Sequence, residues 1–181
     1  MGRRDEGEFA TFVAGHRRAL HRTAFLMSGD WEHAADVVQE ALVRLYVAWP
    51  RLAPGAGLRG YARRVVVNVA IEQARKRSNH ERPTDRLRDR AVDDAADQVP
   101  DRLLLLAALD ELPPRQRACV VLRFYDDLSV DDVADVLGCR PGTVKSQTAR
   151  GLDALRAAYA RHGEELMVRD GLPGPAKEAA P

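Results

Sequence analysis

The chain has 181 residues, of which 45% are apolar and 30% are charged, and this composition is typical of a globular protein with one ordinary domain or two small ones. No apolar run approaches the roughly 20 residues that a membrane-spanning helix needs, and the charged N-terminus lacks the apolar segment of a secretion signal, so we expect a cytoplasmic protein. The two cysteines, Cys119 and Cys139, are too few for a disulfide framework and lack the spacing of a metal site, so we expect no metal and no other cofactor.

The net charge of +1 hides a segregation of charge along the chain. Residues 1–80 hold 13 basic and 8 acidic side chains, whereas residues 81–112 hold 5 basic and 9 acidic ones. A second basic region, residues 139–162, has five cations and one acid, Asp153. Two basic regions are consistent with a polyanion that is contacted at two places, although solvated helix surfaces give the same charge pattern.

Helical periodicity dominates the first eighty residues. Apolar and aromatic side chains recur at intervals of three and four from Phe9 to Leu20, which predicts a first helix that ends at residues 28–30. A second helix is predicted over residues 31–49, because Pro50 follows it. Its inward stripe consists of Ala34, Val38, Ala41, Leu42, Leu45 and Trp49.

The second predicted helix carries another stripe on its solvent side. This stripe mixes branched apolar side chains with carboxylates, and it consists of Asp36, Gln39, Glu40, Val43 and Val47. Such a mixed face predicts a docking surface for a partner helix, in which the valines become buried and the acids set the register. The alternative interpretation is a set of scattered surface valines.

A Pro/Gly-rich loop spans residues 50–60, and a third helix is predicted over residues 59–78. The valines of residues 65–67 also suit a buried strand, but a helix is favoured because the apolar side chains keep one helical face and no second strand signal is present. Residues 79–102 are charged and poor in apolar side chains, which predicts a flexible acidic linker between two domains. Residues 163–181 are predicted to form a disordered tail.

The second domain, residues 103–162, contains the sequence pattern of a helix-turn-helix. Ser129 and Asp132 stand in the S-x-x-[DE] relation that caps a helix start, and Gly138 follows the apolar positions as a stop signal. Pro141 then suits the first turn of the next helix. The outward side of that helix carries hydroxyls, a small residue and cations, which a helix in the major groove of DNA requires. These residues are Thr143, Lys145, Ser146, Ala149, Arg150 and Arg156, and the inward face consists of Val144, Thr148, Gly151, Leu152, Leu155 and Tyr159.

The stretch LDELPPRQRACVVLRFYDDLSVDDVADVLGCRPGTVKSQTARGLDALR resembles region 4 of the extracytoplasmic-function (ECF) sigma factors of bacterial RNA polymerase. The resemblance implies that this domain reads the −35 promoter element. It assigns DNA contact to Arg140, Thr143, Lys145, Ser146, Gln147, Ala149 and Arg150. Gln147 replaces the usual Arg after GTVKS and Arg140 replaces the usual Ser at the helix cap, which changes the expected base preference but not the groove-binding mode. The wording GTVKSQTARGL is similar to an actinobacterial sigma-E-like subgroup.

The first domain, residues 8–78, carries two further resemblances. DWEHAADVVQEALVRLYVAW is similar to region 2.2 of sigma factors, which implies contact with the clamp helices of the largest subunit of core RNA polymerase. The residues assigned to this contact are Asp36, Gln39, Glu40 and Val43, whereas Val38 of the same motif is expected to point inward. GLRGYARRVVVNVAIEQARKR is similar to regions 2.3 and 2.4, which implies contact with an opened −10 element. The residues assigned to the −10 element are Tyr61, Arg64, Asn68, Arg75 and Lys76. A core position is an equally good interpretation of Tyr61.

These patterns predict an all-α protein of two small helical domains joined by a flexible acidic linker, the second of them a helix-turn-helix domain. The resemblance implies a sigma factor that binds core RNA polymerase and promoter DNA, has no membrane insertion, and can have an anti-sigma factor as a further partner.

Other classes of protein remain as alternatives. A LuxR-type transcriptional activator shares the helix-turn-helix layout, but the first domain shows no β/α pattern of the receiver domain that usually precedes it. An enzyme is disfavoured because the five histidines are scattered and no phosphate-binding loop or nucleophile elbow is present. A pure protein-interaction module would differ in heparin binding, because phosphate contacts make affinity fall steeply with salt.

Overall fold

The computed structural model describes residues 6–53, 55, 57–80 and 99–169, so most of the predicted linker and the end of the predicted tail lie outside the described residues. The described chain is all-α and contains no strand. Its helices are α1 (Glu6–Ser28), α2 (Trp31–Ala48), α3 (Gly57–His80), α4 (Val99–Asp110), α5 (Pro114–Val120), α6 (Val130–Leu137) and α7 (Pro141–Arg169). None of the helices in these ranges is both long enough and apolar enough to cross a membrane.

Local signals set the boundary between α1 and α2, as the sequence predicts. Gly29 adopts φ 76° and donates its N–H to the Phe25 carbonyl at 2.7 Å, which ends α1. Asp30 then caps α2 by accepting the backbone N–H of His33 at 2.8 Å, and this bond lowers the pKa of the Asp30 carboxyl. At its far end α2 passes into a short 3₁₀ turn, Trp49–Arg51.

The structure confirms that residues 65–67 lie in a helix and not in the alternative buried strand. Val66, Val67 and Val69 are all buried within α3, which packs against α1 and α2. The core of this domain closes around Trp49, whose ring meets the rings of Phe9 and Phe12 at centroid distances of 5.1 and 5.3 Å. The first domain is therefore a three-helix unit with one aromatic-rich end.

The second domain contains α4 to α7. Leucines of α4 and the buried valines and alanines of α5, α6 and α7 form its core. After Val120 the chain leaves α-helical geometry and makes one π-helical turn, Val121–Tyr125, before it reaches α6. No sequence pattern predicted this turn, because a five-residue π turn has no distinct periodicity.

Three helices extend beyond their predicted ends. The α3 helix continues to His80, α4 begins at Val99 within the predicted linker, and α7 runs to Arg169 within the predicted tail. A disordered tail from residue 163 onward is therefore wrong for residues 163–169. After Gly163, residues 164–167 (EELM) are good helix formers, and Pro100 and Asp101 suit a first helical turn.

The two domains pack against each other. Their buried apolar side chains form one continuous cluster, which includes Leu20 and Met27 of α1 as well as Val120 of α5 and Val136 of α6. Helix α3 lies against both α5 and α6. No pattern in the sequence predicted this packing, which brings one end of α3 beside the helix-turn-helix.

Candidate nucleic-acid and partner interfaces

The helix-turn-helix begins with a complete capping box, as predicted. The Ser129 hydroxyl accepts the backbone N–H of Asp132 at 3.0 Å, and the Asp132 carboxylate accepts the backbone N–H of Ser129 at 3.2 Å. The Ser129 hydroxyl also donates to the Asp132 carboxylate at 2.6 Å, and this bond, followed by the one from the Ser129 N–H, lowers the pKa of the Asp132 carboxyl. After eight residues α6 ends at Gly138, whose φ of 60° lets Cys139 donate its N–H to Ala134. The turn therefore fixes the angle at which α7 begins.

The outward side of α7 is open to solvent. Thr143, Lys145, Ser146, Ala149 and Arg150 are exposed, as is Arg140 in the turn, whereas Gln147 is half-buried. The Ser146 hydroxyl donates to the Thr143 carbonyl at 3.0 Å, so its oxygen remains as an acceptor. We call the set Arg140, Thr143, Lys145, Ser146, Gln147, Ala149 and Arg150 the α7 face.

The inward side of α7 explains why that face is held rigidly. Val144 is fully buried, and Gly151 lies so close to α5 that a Cβ there would sit 2.9 Å from Val120 Cγ2. Tyr159, which was predicted to pack inward, is instead exposed, and its hydroxyl donates to Asp101 at 3.2 Å. The inward prediction is wrong for this residue, because Tyr159 lies at the edge of the surface that α4 covers.

The mixed stripe of α2 is exposed where the sequence predicts it. Asp36 and Gln39 are open to solvent, and Val43 and Val47 are 61% and 69% exposed. Val38, in contrast, is buried, which confirms its expected inward position. We call Asp36, Gln39, Glu40 and Val43 the α2 stripe.

Glu40 differs from the other residues of the α2 stripe because it is engaged within the protein. Gln73 of α3 donates to its Oε2 at 2.8 Å, and Arg44 donates to its Oε1 at 2.5 Å. Arg44 also pairs with Glu72 at 2.7 Å, so the network joins α2 to α3. The bond from Gln73, followed by the effect of Arg44, lowers the pKa of Glu40.

The residues assigned to the −10 element lie along one continuous helix. At 100° per residue, Tyr61, Arg64, Asn68 and Arg75 fall within about 60° of each other around α3. Arg64, Arg75 and Lys76 are exposed, whereas Asn68 is half-buried and Tyr61 packs partly against the core cluster. We call these five residues the α3 face.

The N-terminal half of α3 lines a cleft of about 620 Å³ between the two domains. Its basic wall carries Arg59, Arg63 and Arg64 of α3, and its acidic wall carries Asp126, Asp132 and Asp135 of the second domain. Burial raises the pKa of Asp126, against the opposing effects of Arg63 and Thr23. No sequence pattern predicted this cleft, because its walls lie more than sixty residues apart in the chain.

Three exposed aromatic residues were also not predicted from the sequence. Tyr46 lies three residues after Val43, so it extends the exposed apolar surface beside the α2 stripe, and its hydroxyl donates to Glu6 at 2.8 Å. Helical spacing from Val43 was the signal that would have found it. Phe124 and Tyr125 protrude from the π-helical turn, where no helical period applies.

The described residues contain no cluster of three or more His, Cys, Asp or Glu side chains that suits a metal ion. Cys119 is buried and Cys139 is partly buried, and neither forms a disulfide. Burial raises the pKa of the Cys119 thiol to about 11, so this thiol stays protonated at neutral pH.

Comparisons with known proteins match both domains. The family model described as Sigma-70 region 2 matches residues 12–80, and the one described as Sigma-70, region 4 matches residues 102–155. The RNA polymerase sigma-E factor of Streptomyces avermitilis is 40% identical over 163 residues, which cover 90% of this chain and 87% of that protein. The ECF RNA polymerase sigma factor SigE of Mycolicibacterium smegmatis is 32% identical over 167 residues, which cover 84% of this chain and 62% of that protein.

A solved structure has the same architecture. The sigma factor RpoE of Bartonella quintana, in complex with the anti-sigma factor NepR, superposes with a TM-score of 0.66 at 25% identity. The match covers 83% of this chain and 96% of that one. Because region 2 is matched as well as the helix-turn-helix, the sigma-factor interpretation is favoured over a LuxR-type activator. The chain belongs to the ECF group of the sigma-70 family, and it is a sigma factor that directs RNA polymerase to promoters.

Proposed function

We propose that three separate surfaces of this sigma factor bind its three partners. The α2 stripe binds core RNA polymerase, the α3 face binds the opened −10 element, and the α7 face reads the −35 element. The observation that carries this division is the exposure of the α7 face on the opposite side of the helix from Val144 and Gly151, which are buried.

The chemistry of the α7 face suits readout in the major groove. Lys145 and Arg150 supply cations for guanine edges or phosphates, and Ala149 between them is small enough for the helix to approach the bases closely. The close packing at Gly151 holds these side chains in a fixed register. A rigid, exposed helix with cations toward its N-terminal half is the geometry that helix-turn-helix proteins use.

The α2 stripe suits a partner helix. Val43 is largely exposed in the free chain, and burying a valine side chain yields roughly 1.5–3 kcal/mol, which favours association. Asp36 and Gln39 are exposed beside it and supply polar contacts that fix the register. Glu40 contributes mainly by holding α2 against α3 through Gln73 and Arg44.

The α3 face suits single-stranded DNA. Arg75 and Lys76 are exposed at its C-terminal end and suit backbone phosphates, while the amide of Asn68 offers a donor and an acceptor to a base. Tyr61 is partly buried against the core, so we expect it to contribute little stacking.

The chain supplies recognition and the polymerase supplies the chemistry, so we assign it no catalytic residue and place it in the cytoplasm with the polymerase. The related RpoE of Bartonella quintana is seen with an anti-sigma factor, which supports an anti-sigma factor as a partner of this chain as well.

Co-purification with core polymerase and reconstituted transcription test the roles proposed for these surfaces. Changing Asp36, Gln39 and Val43 together to Arg, Ala and Asp should abolish co-purification with core polymerase, because it inverts one charge and places a carboxylate where the partner would bury an apolar side chain. Lys145→Ala combined with Arg150→Ala should instead retain core binding while promoter-specific transcription is lost.

Circular dichroism must first show that both variants keep their helical content. The isolated fragment of residues 103–162 is expected to bind DNA weakly. If the triple variant still binds core polymerase at the wild-type level, the docking surface has been placed on the wrong side of the first domain.

A further inference from the structure

The solvent side of α1 is a charged surface that lies outside the α2 stripe, the α3 face and the α7 face. It carries Arg17, Arg18 and Arg22, all of them exposed. None of these arginines forms an ion pair with any residue that the structure describes. From Phe9 to Gly29 the chain also contains no acidic residue. This side of α1 is therefore a basic surface whose cations are not neutralised within the protein.

Helical geometry places two of these arginines in line with an aromatic residue. Arg18, Arg22 and Phe25 are spaced by four and three residues, so they lie within about 60° of one another around α1, over about 10 Å of helix. Phe25 in turn stacks on Trp31 at the start of α2. Their ring centroids are 4.1 Å apart and their planes differ by 17°. The two arginines therefore lead to a stacked aromatic pair.

Trp31 is the exposed member of that pair. Phe25 is only 7% exposed, whereas Trp31 is 39% exposed. Phe25 covers one face of the indole, and the rest of the ring system is open to solvent. Because Phe25 already holds the indole in place, a ligand that stacks on Trp31 does not have to order the ring first.

Two carboxylates flank Trp31 in the chain, so their positions matter for any anion that binds there. Asp30 is held at the N-cap of α2, where its Oδ1 accepts the backbone N–H of His33 at 2.8 Å and lies 3.1 Å from the ring Nδ1 of the same residue. Glu32 follows Trp31 by one residue and therefore lies about 100° away around α2. His21 adds no charge to the basic surface at neutral pH, because its pKa is lowered, chiefly by burial. The positive charge of the surface thus comes from its arginines.

A basic helix side that leads to an exposed, stacked indole has the chemistry of a surface for single-stranded nucleic acid. Proteins bind unpaired strands with cations that follow the backbone and with aromatic side chains on which bases stack. Duplex DNA offers the same phosphates, but its bases already stack on one another and cannot stack on an indole at the protein surface. The exposed Trp31 therefore favours an unpaired strand over a duplex.

We propose that Arg18, Arg22 and Trp31 bind an unpaired strand of opened promoter DNA. The two arginines contact successive phosphates, and one base stacks on the indole, which Phe25 supports from behind. We call Arg18, Arg22 and Trp31 the α1 surface. This site goes beyond the proposed function, because it shares no residue with the three surfaces assigned there and does not depend on their roles.

Tryptophan fluorescence tests the stacking directly. The chain has two tryptophans, and Trp49 is buried at 2% exposure, so Trp31 is the one that a base can reach. Titration of the full chain with a single-stranded 20-nucleotide DNA of mixed sequence should decrease the tryptophan emission in a saturable way, because a stacked base quenches an indole. Trp31→Phe should show no such decrease, and the same variant corrects for the light that the DNA absorbs.

Two substitutions of Trp31 separate stacking from packing. Trp31→Phe keeps an aromatic face for a base, whereas Trp31→Leu covers Phe25 with an apolar side chain that has no such face. We expect the affinity for the same DNA, measured by fluorescence anisotropy of a labelled strand, to stay near the wild-type value for Trp31→Phe and to fall about tenfold for Trp31→Leu. A residue that only packs would give equal affinities in the two variants.

The salt dependence of binding tests the arginines. Arg18→Ala combined with Arg22→Ala should reduce the slope of log affinity against log salt by about 1.4, because each phosphate contact to a single strand contributes roughly 0.7. Arg51→Ala combined with Arg161→Ala is the matched control, since both side chains are exposed elsewhere and the net charge changes equally. Its slope should stay near the wild-type value. Circular dichroism checks that every variant stays helical.

The α3 face is also proposed to bind single-stranded DNA, so the two sites must be separated. In the variant Arg75→Ala with Lys76→Ala, the addition of DNA should still quench Trp31. A wild-type slope in this variant would count against the α3 face and would leave the α1 surface untouched.

Four results would overturn the proposal. One is an unchanged tryptophan emission at DNA concentrations that saturate the anisotropy. Another is a slope that falls equally in the Arg18 and Arg22 variant and in its control. A third is equal quenching by a duplex of the same sequence, which would mean that no unpaired base is needed. The last is an RNA of the same sequence that quenches Trp31 at lower concentrations than the DNA does, which would assign the surface to a transcript instead of the promoter.

Discussion

The two helices assigned to DNA, α3 and α7, differ in how much of their surface the folded chain leaves open. On α7 the cations Lys145 and Arg150 face solvent along the whole first half of the helix. On α3 the C-terminal Arg75 and Lys76 are exposed outside the cleft, whereas the exposed Arg64 of the N-terminal half lines the cleft with the acidic edge of the second domain, Asp126, Asp132 and Asp135.

This difference concerns the electrostatic surroundings of the two proposed DNA contacts. The α7 face is open to solvent, whereas the N-terminal half of α3 lies beside carboxylates that repel phosphate. The following variants test this contrast.

Gly151→Val should have the largest effect, because it removes the support behind the α7 face. The added Cβ would lie 2.9 Å from Val120 Cγ2 and 3.2 Å from the Gln116 carbonyl, and overpacking of this kind costs about 1–3 kcal/mol. We expect a lower midpoint of thermal unfolding by circular dichroism, together with loss of −35 recognition.

Gly163→Ala is the control for Gly151→Val on the same helix. A Cβ at Gly163 meets nothing within 4 Å, so alanine should stabilise α7 by up to about 1 kcal/mol through helix propensity. A thermal midpoint that falls equally in both variants would show that Gly151 is not closely packed.

Arg150→Ala should come next and should act on recognition alone. Loss of a bidentate contact to a base edge costs on the order of 1–3 kcal/mol at preferred promoters and relaxes base choice at one position. Arg150 is exposed, so the thermal midpoint should stay near the wild-type value. Competition transcription among promoter variants measures the effect, and an unchanged promoter ranking would contradict the register assigned to α7.

Local signals explain why so much of the fold was predictable. The cap at Asp30, the capping box of Ser129 with Asp132, and the left-handed turn at Gly138 act within a few residues, so their sequence patterns carry the structure directly. The exposed α7 face and α2 stripe followed from helical spacing for the same reason.

Long-range contacts account for what the sequence could not show. The ion pair of Asp126 with Arg63 joins residues in different domains, and the sequence around each residue contains no signal that predicts the other. Glu40 is similar, since its engagement by Gln73 depends on how α2 packs on α3. The exposure of Tyr159 likewise depends on where the packing of α4 against α7 ends.

Arg75→Ala combined with Lys76→Ala should have a smaller effect. Both side chains are exposed at the C-terminal end of α3, outside the cleft, so they should contact phosphate of single-stranded DNA. Each phosphate contact to a single strand contributes roughly 0.7 to the slope of log affinity against log salt. We expect that slope to fall by about 1.4, measured by fluorescence anisotropy with labelled single-stranded DNA. An unchanged slope would mean that the phosphate contacts of α3 lie at other residues.

Glu40→Gln should have the smallest effect, although Glu40 belongs to the α2 stripe. The glutamine carbonyl can still accept from Arg44, the Gln73 amide can turn so that its oxygen accepts from the new glutamine N–H, and Arg44 keeps its pair with Glu72 at 2.7 Å. Because Glu40 and Arg44 are partly exposed, the lost charge should change the free energy of unfolding by less than about 1 kcal/mol. Core polymerase binding, measured by pull-down against the single variants Asp36→Arg and Val43→Asp, should stay close to the wild-type level for Glu40→Gln and fall clearly for the other two. A loss at Glu40→Gln as large as at Asp36→Arg would place the charge of Glu40 in the interface itself, and the network with Arg44 and Gln73 would then have to rearrange when the polymerase binds.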